Sequence, residues 1–385
     1  MTPAFEIVEY RQRLDRATSS MQARGLDGLL LFAPESHYYL TGYDTFGFAL
    51  FQCMVVSAQG EIHLLTRMPD LRQAQQTSIL DDDQIHIWAD IEGTEPTRDL
   101  LGLVVDMGLQ GKRLGIELKT VGLNAYNSQR LYSFFDGQAD LVDASDLVSL
   151  LRRDKSPKEI EYHRKAAALS DSALDAALEV TGSGAFEGDI LAAMQGEVFK
   201  GGGDYAGNEF VIGSGEAALL CRYYSGRRHL DPNDQLTLEW SGAYRRYHAA
   251  MMRTLVIGEV NPEQRNMHGI TTEALLACEE AIKPGRPMGE VFDAHARVFD
   301  SHGYHHARLQ ACGYGMGAIY NPIWVDFPMF YEGNPLLMAA GNVFFLHMIL
   351  MDSDSGLAMC WGHSVLVTQT GVERLSRSPL DFINL

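Results

Sequence analysis

QLTLEWSGAYRRYHAAMMRTLVIGEV, residues 235–260, is the stretch that decides the fold. From Leu236 to Trp240 apolar and polar residues alternate, the period of a strand. By that period Glu239 shares a face with Thr237 and Ser241, opposite Leu238 and Trp240. A carboxylate so placed has two readings. It is a salt-bridged strand residue, or it faces a walled pocket where burial raises its pKa and makes it a base or nucleophile. Strands dominate on either side, in EFVIGSG (209–215), NVFFLHMILM (342–351) and HSVLVTQTGVERLS (363–376). Two helices, around 262–281 and 288–302, interrupt them.

Toward the N-terminus, KSPKEI (155–160) opens a long helix that runs to about 180. Ser156 supplies the N-cap, Pro157 the first helical residue and Glu159 the capping box. GSGAFEGDILAAMQGEVFKGGG (182–203) is a second helix with glycines at both ends. GSGEAA (213–218) lacks the Lys-Ser/Thr of a phosphate loop and is read as a plain loop. Before residue 150 the pattern changes. A helix over 7–24 precedes strands in GLDGLLLFAP (25–34), FALFQCMVVSA (48–58), EIHLLT (61–66), IHIW (85–88) and RLGIE (113–117), with helices near 69–79, 97–108 and 123–136. That alternation implies a mixed or parallel sheet with helical cover. We therefore expect an α+β chain of two domains, 1–150 and 151–385.

The 385 residues carry a formal net charge of −19, which argues against a nucleic-acid or anionic-membrane partner. No apolar run is long enough to span a bilayer, and MTPAFEIVEYRQRLDRA lacks the apolar core of a signal peptide. The five cysteines are scattered, with no C-x-x-C pair. A cytoplasmic protein acting on a small molecule is the expectation.

Five segments in sequence carry a family likeness. They are KSPKEI (155–160), EWSGAYRRYHAAMMRT (239–254), GYGMG (313–317), GNVFFLHM (341–348) and GHSVLVTQTG (362–371). Together they resemble the "pita-bread" family of methionine aminopeptidase, prolidase and creatinase. The resemblance implies an N-terminal creatinase-like α/β domain, then a curved antiparallel sheet backed by helices with its pocket on the concave face. It also implies a homodimer. Members with two metal ions ligate them by two Asp, one His and two Glu. Here those positions hold Glu239, Ala250, Tyr314, His347 and Gly362. Two divalent ions need several anionic oxygens, so no metal and no other cofactor is expected. Within the family, TGYD (41–44), GGDY (202–205), GAYRRYH (242–248) and the His347-Met348 pair are most similar to the metal-free ectoine hydrolases, and more distantly to creatinase.

That likeness sets the candidate site. Glu239, His347 and His248 are the candidate catalytic residues, with Glu239 as base or nucleophile and a His protonating the departing nitrogen. Arg222, Tyr314, Tyr247 and His363 are candidate substrate-binding residues. Counting back twelve residues from Asp234, where metal-free members commonly place a His, reaches Arg222. Arg cannot serve as a base near neutral pH, but it clamps carboxylates. RYYSGRRH (222–229) is either a solvated loop or a positive patch that draws in a carboxylate. His305, His306 and Cys312 fit no zinc pattern, and Arg253 is read as structural. The leading expectation is a metal-independent hydrolase of a C–N bond in an ectoine-like cyclic amidine or a creatine-like guanidino acid. The alternatives are a lyase of a small zwitterionic osmolyte and a non-catalytic binding protein. A metal-dependent Xaa-Pro dipeptidase fits the residues least.

Overall fold

The computed structural model describes residues 3–224 and 226–385, in two compact units, Met1–Arg152 and Arg153–Leu385. The first unit runs α1 (Ile7–Ala23), β1 (Gly28–Leu31), α2 (Pro34–Thr41), β2 (Cys53–Ser57), β3 (Ile62–Arg67), α3 (Met68–Thr77) and β4 (Ile85–Trp88). It continues with α4 (Pro96–Asp106), β5 (Arg113–Ile116), α5 (Ala125–Phe135), β6 (Asp140–Asp143) and α6 (Ser145–Arg153). Its sheet has the order β4-β3-β2-β1-β5-β6 and is mixed: β1, β2 and β3 pair antiparallel, the other neighbours parallel. GLLL and CMVVS are buried at every position because apolar clusters cover both faces of the sheet.

Two expectations change here. The second strand begins only at Cys53, since Gly47–Ala49 forms a 3-10 turn. The strand read through Pro34 ends at Leu31, and Pro34 instead opens α2. The backbone N–H groups of Phe32 and Ala33 are satisfied by buried Glu117, at 2.9 and 2.8 Å, which also accepts from Ser36 Oγ at 2.5 Å. β6, a short polar strand, has no period-two apolar signal to mark it.

The second unit contains α7 (Pro157–Val180), α8 (Glu187–Lys200), β7 (Val211–Ser214), β8 (Asp234–Tyr244), β9 (Tyr247–Ile257), α9 (Pro262–Ala281) and α10 (Gly289–Ser301). β10 (Ala311–Gly315), β11 (Asp326–Tyr331), β12 (Val343–Asp352), β13 (Leu357–Val367) and β14 (Val372–Arg374) complete it. The sheet is antiparallel, ordered β11-β10-β12-β13-β9-β8-β7, with β14 on β13. The capping box of α7 is present: Ser156 Oγ accepts from Glu159 N and Glu159 Oε2 from Ser156 N, at 3.2 and 2.8 Å. Part of GSGEAA is not loop, because Gly213 and Ser214 belong to β7.

The quoted stretch is the β8–β9 hairpin. Its two-residue turn, Arg245-Arg246, has φ of +52° and +66°, the sign a type I′ turn needs at both central positions. Asp204 holds it by accepting from Arg246 N at 2.9 Å. The alternation in β8 sorts its side chains. Trp240 turns toward α7, donating from Nε1 to Ser170 O at 3.0 Å. Helix and strand approach so closely that a Cβ at Gly242 would lie 2.1 Å from Ala166 O. Glu239 takes the other face. Among the described residues no helix is long and apolar enough to cross a membrane.

Candidate active site

On the face of the sheet that carries Glu239 lies a cavity of about 230 Å³. Its lining includes Asn208, Arg222, Tyr224, Glu239, Tyr314, Trp324 and His347. Rigid backbone positions the innermost groups: Glu239 from β8, Tyr314 from β10 and His347 from β12. Cys221, Leu309, Ile323 and Ile349 add apolar wall.

Burial raises the Glu239 carboxyl to about 7, against the lowering pull of the Arg222 guanidinium and of Tyr314. Tyr314 donates its hydroxyl proton to Glu239 Oε1 at 3.4 Å and accepts from Trp324 Nε1 at 2.8 Å. Burial first, and then the nearby Glu239, push the Tyr314 phenol well above its ordinary pKa, so it remains a donor. Burial lowers His347 to about 4, leaving a neutral imidazole whose Nδ1 has no protein partner. Arg222 lies at the exposed rim, and its charge is felt at Glu239, Tyr314 and His347 alike. The arrangement is one proton-poised carboxylate, one fixed phenol donor, one neutral imidazole and one cation, around a small, largely apolar space.

The cavity thus brings together four of the seven candidate residues: Glu239, Tyr314, His347 and Arg222. The other three lie outside its lining and are held elsewhere. His248 is fully buried; its Nε2 accepts from Gly207 N at 2.8 Å and its Nδ1 faces Gly317 O at 3.4 Å. It ties two loops together, away from the cavity that holds Glu239. Tyr247 donates to Glu159 Oε1 at 2.7 Å, fastening β9 to the start of α7. His363 points to α9, where Nε2 meets Glu279 Oε1 at 2.7 Å and Arg374 grips the same carboxylate. In the basic cluster, Arg228 pairs with Asp231 and Asp234, and Ser225 lies outside the described residues. Sequence reasoning missed Asn208 and Trp324. Asn208 Oδ1 accepts from Trp324 N at 3.1 Å, which sets the indole over Tyr314. Both sit in irregular segments, where no periodicity signals an inward side chain.

The model of metallopeptidase family M24 matches residues 161–369, and that of the creatinase/prolidase N-terminal domain matches 13–153. The chain belongs to metallopeptidase family M24. It is a hydrolase. An ectoine hydrolase of Halomonas elongata is 28% identical over 97% of both chains. An uncharacterized hydrolase/peptidase of Sinorhizobium fredii is 28% identical over 98% of both. A prolidase from Thermococcus sibiricus superimposes with a TM-score of 0.88 at 19% identity, covering 98% of this chain and 99% of its own, a likeness of fold.

Among the five positions that the family resemblance assigns to metal ligands, Ala250 and Gly362 carry no donor atom. Ala250 is buried in the apolar core, and Gly362 pairs with His347 across β12 and β13. A Cβ at Gly362 would sit 2.4 Å from Leu346 O and 3.1 Å from the Phe345 ring. Phe345 is fully buried and packs against Tyr314 and His347, with ring centroids 5.4 and 5.6 Å away. An aromatic ring therefore lies among the positions that the resemblance assigns to oxygen donors.

Proposed function

We propose that this M24 protein hydrolyses a C–N bond of a small carboxylate-bearing, nitrogen-rich molecule without a metal ion. The observation that carries the proposal is Glu239, a carboxylate raised to about 7 and held by Tyr314 in a cavity that Arg222 overlooks. The cavity is smaller than the roughly 300–1,000 Å³ of drug-sized pockets, in keeping with a compact substrate. The likeness to an ectoine hydrolase supports a cyclic amidine, and a guanidino acid meets the same chemistry.

The donor set does not fit a two-metal cage. It offers one carboxylate, one imidazole and a protonated phenol, while Ala250 and Gly362 bring no donor atom. In the reaction proposed, the substrate carboxylate lies on Arg222. Water forms a bond to the amidine carbon as Glu239 takes its proton, and the His347 imidazole orients that water. The neutral acid so formed returns the proton to nitrogen as the C–N bond breaks. His347, neutral at pH 7, serves as acceptor and relay rather than as a charged acid. Direct attack by Glu239, through a covalent intermediate, is the alternative route.

Two results test this reading of the site and its assembly. Elemental analysis of purified protein is expected to show well under one equivalent of zinc, manganese or iron, and EDTA to leave activity unchanged. Two pocket-bound equivalents would refute it. Turnover of ectoine, hydroxyectoine and creatine identifies the substrate, and a lyase would release no hydrolysis product. We also propose a homodimer, on family likeness. Light scattering that returned the monomer mass of 42.7 kDa at micromolar concentration would refute that.

A further inference from the structure

Arg253, in the middle of β9, is fully buried and takes no part in the cavity. It lies cross-strand from Leu238, whereas Glu239 faces Met252, so the guanidinium is on the opposite face of the sheet from the proposed catalytic acid. Its Cζ stacks 4.6 Å from the ring centroid of its other cross-strand neighbour, Trp361. His268 of α9 closes on that indole edge-on, with centroids 4.5 Å apart.

Arg253 Nη1 donates to Met252 O and Gly362 O, at 2.8 and 2.6 Å. Nε and Nη2 have no partner, and neither has the adjoining Trp361 Nε1. Nε–H and Nη2–H are the two parallel donors of the side-on guanidinium edge, the edge that takes an anion in a fork. Elsewhere this chain fills that edge with a carboxylate: Asp90 for Arg67, Glu373 for Arg164, Glu279 for Arg374 and Asp300 for Arg308. At Arg253 no carboxylate among the described residues does so. Asp171 is the acid whose charge Arg253 feels, yet its oxygens accept from Ser376, Arg377 N and Ser378. A buried cation with two unmatched donors is strongly disfavoured unless a counter-ion satisfies it.

We propose that the Arg253 fork and the Trp361 indole N–H form a buried site for one small monovalent anion of halide type. One negative charge balances the one guanidinium. Arg253 and Trp361 are both fully buried, which favours a small anion over a bulky acid. His268 Nε2 is also unpartnered. Burial holds Arg253 down to about 9, and a bound anion opposes that shift.

The test uses the full chain with sodium bromide. Crystals soaked in bromide are expected to show an anomalous peak within hydrogen-bond distance of Arg253 Nε and Nη2. In solution, Tm is expected to be about 2 °C higher in about 200 mM chloride than in gluconate of equal ionic strength, since gluconate is too large for the site. Arg253→Lys removes the fork and should abolish that difference. If the variant does not fold, the wild-type bromide map decides alone. Water without an anomalous peak at the fork, or an undiminished chloride effect in a folded Arg253→Lys, overturns the proposal.

Discussion

Glu239→Gln is expected to lower turnover by about 10²–10⁴-fold, the range for loss of a positioned acid–base group. The change keeps the shape of the side chain and its bond from Tyr314. It removes the only carboxylate among the five altered ligand positions. The wild-type pH profile should carry the same signature. Glu239 acts as an anion, so kcat/KM should rise with pH through about 7 and level off above it. Stability supplies an independent check. A carboxyl raised from 4.5 to about 7 on folding binds more protons in the folded than in the unfolded state. Its destabilising effect is full above about 7 and vanishes below the unfolded value. The Gln variant should therefore melt above the wild type at pH 8, with the gap closing toward pH 4. A covalent adduct on Glu239 in wild-type protein trapped with a slow substrate would assign direct attack, and its absence general-base catalysis. A Gln variant with full activity would eliminate both, and the cavity would be one that only binds.

How legible this was in the sequence differs from element to element. The hairpin at 239–254 and the capping box at Ser156 were plain, because period-two alternation and cap chemistry are local rules. The same alternation put Glu239 on the face opposite Leu238 and Trp240. Alternation cannot say how far along a strand the cavity extends. His248 lies in the same hairpin as Glu239, yet near the β8–β9 turn, where Gly207 and Gly317 claim both its ring nitrogens. His363 adjoins Gly362 and faces the opposite side of the sheet, onto Glu279. The remaining wall of the cavity escaped the sequence for a different reason. Trp324, which bonds Tyr314, is held by Asn208 from an irregular segment more than a hundred residues away, and only tertiary packing brings them together. The same holds for Phe345. Its place in an apolar strand marks it as core, and only the folded structure brings that core ring against Tyr314 and His347.

Arg222→Lys and Arg222→Ala are each expected to raise KM by about 10–150-fold, as loss of a charge-assisted contact worth ~1.5–3 kcal/mol implies. Lys keeps the positive charge but not the planar fork that holds two carboxylate oxygens at once. The pair of variants separates clamping from electrostatics. The Arg222 charge lowers the pKa of Glu239, opposing burial. Arg222→Ala should consequently move the rising limb of the pH profile to higher pH. Arg222→Lys should leave that limb close to its wild-type position while weakening binding. A shifted limb with KM unchanged in both variants would mean that Arg222 only tunes the acid, and that the substrate carboxylate is held elsewhere or does not exist. Raised KM in both, with the limb displaced only in Ala, would place the substrate's negative group on this guanidinium. Its reacting nitrogen would then have to lie within the 230 Å³ that separates Arg222 from Glu239 and His347.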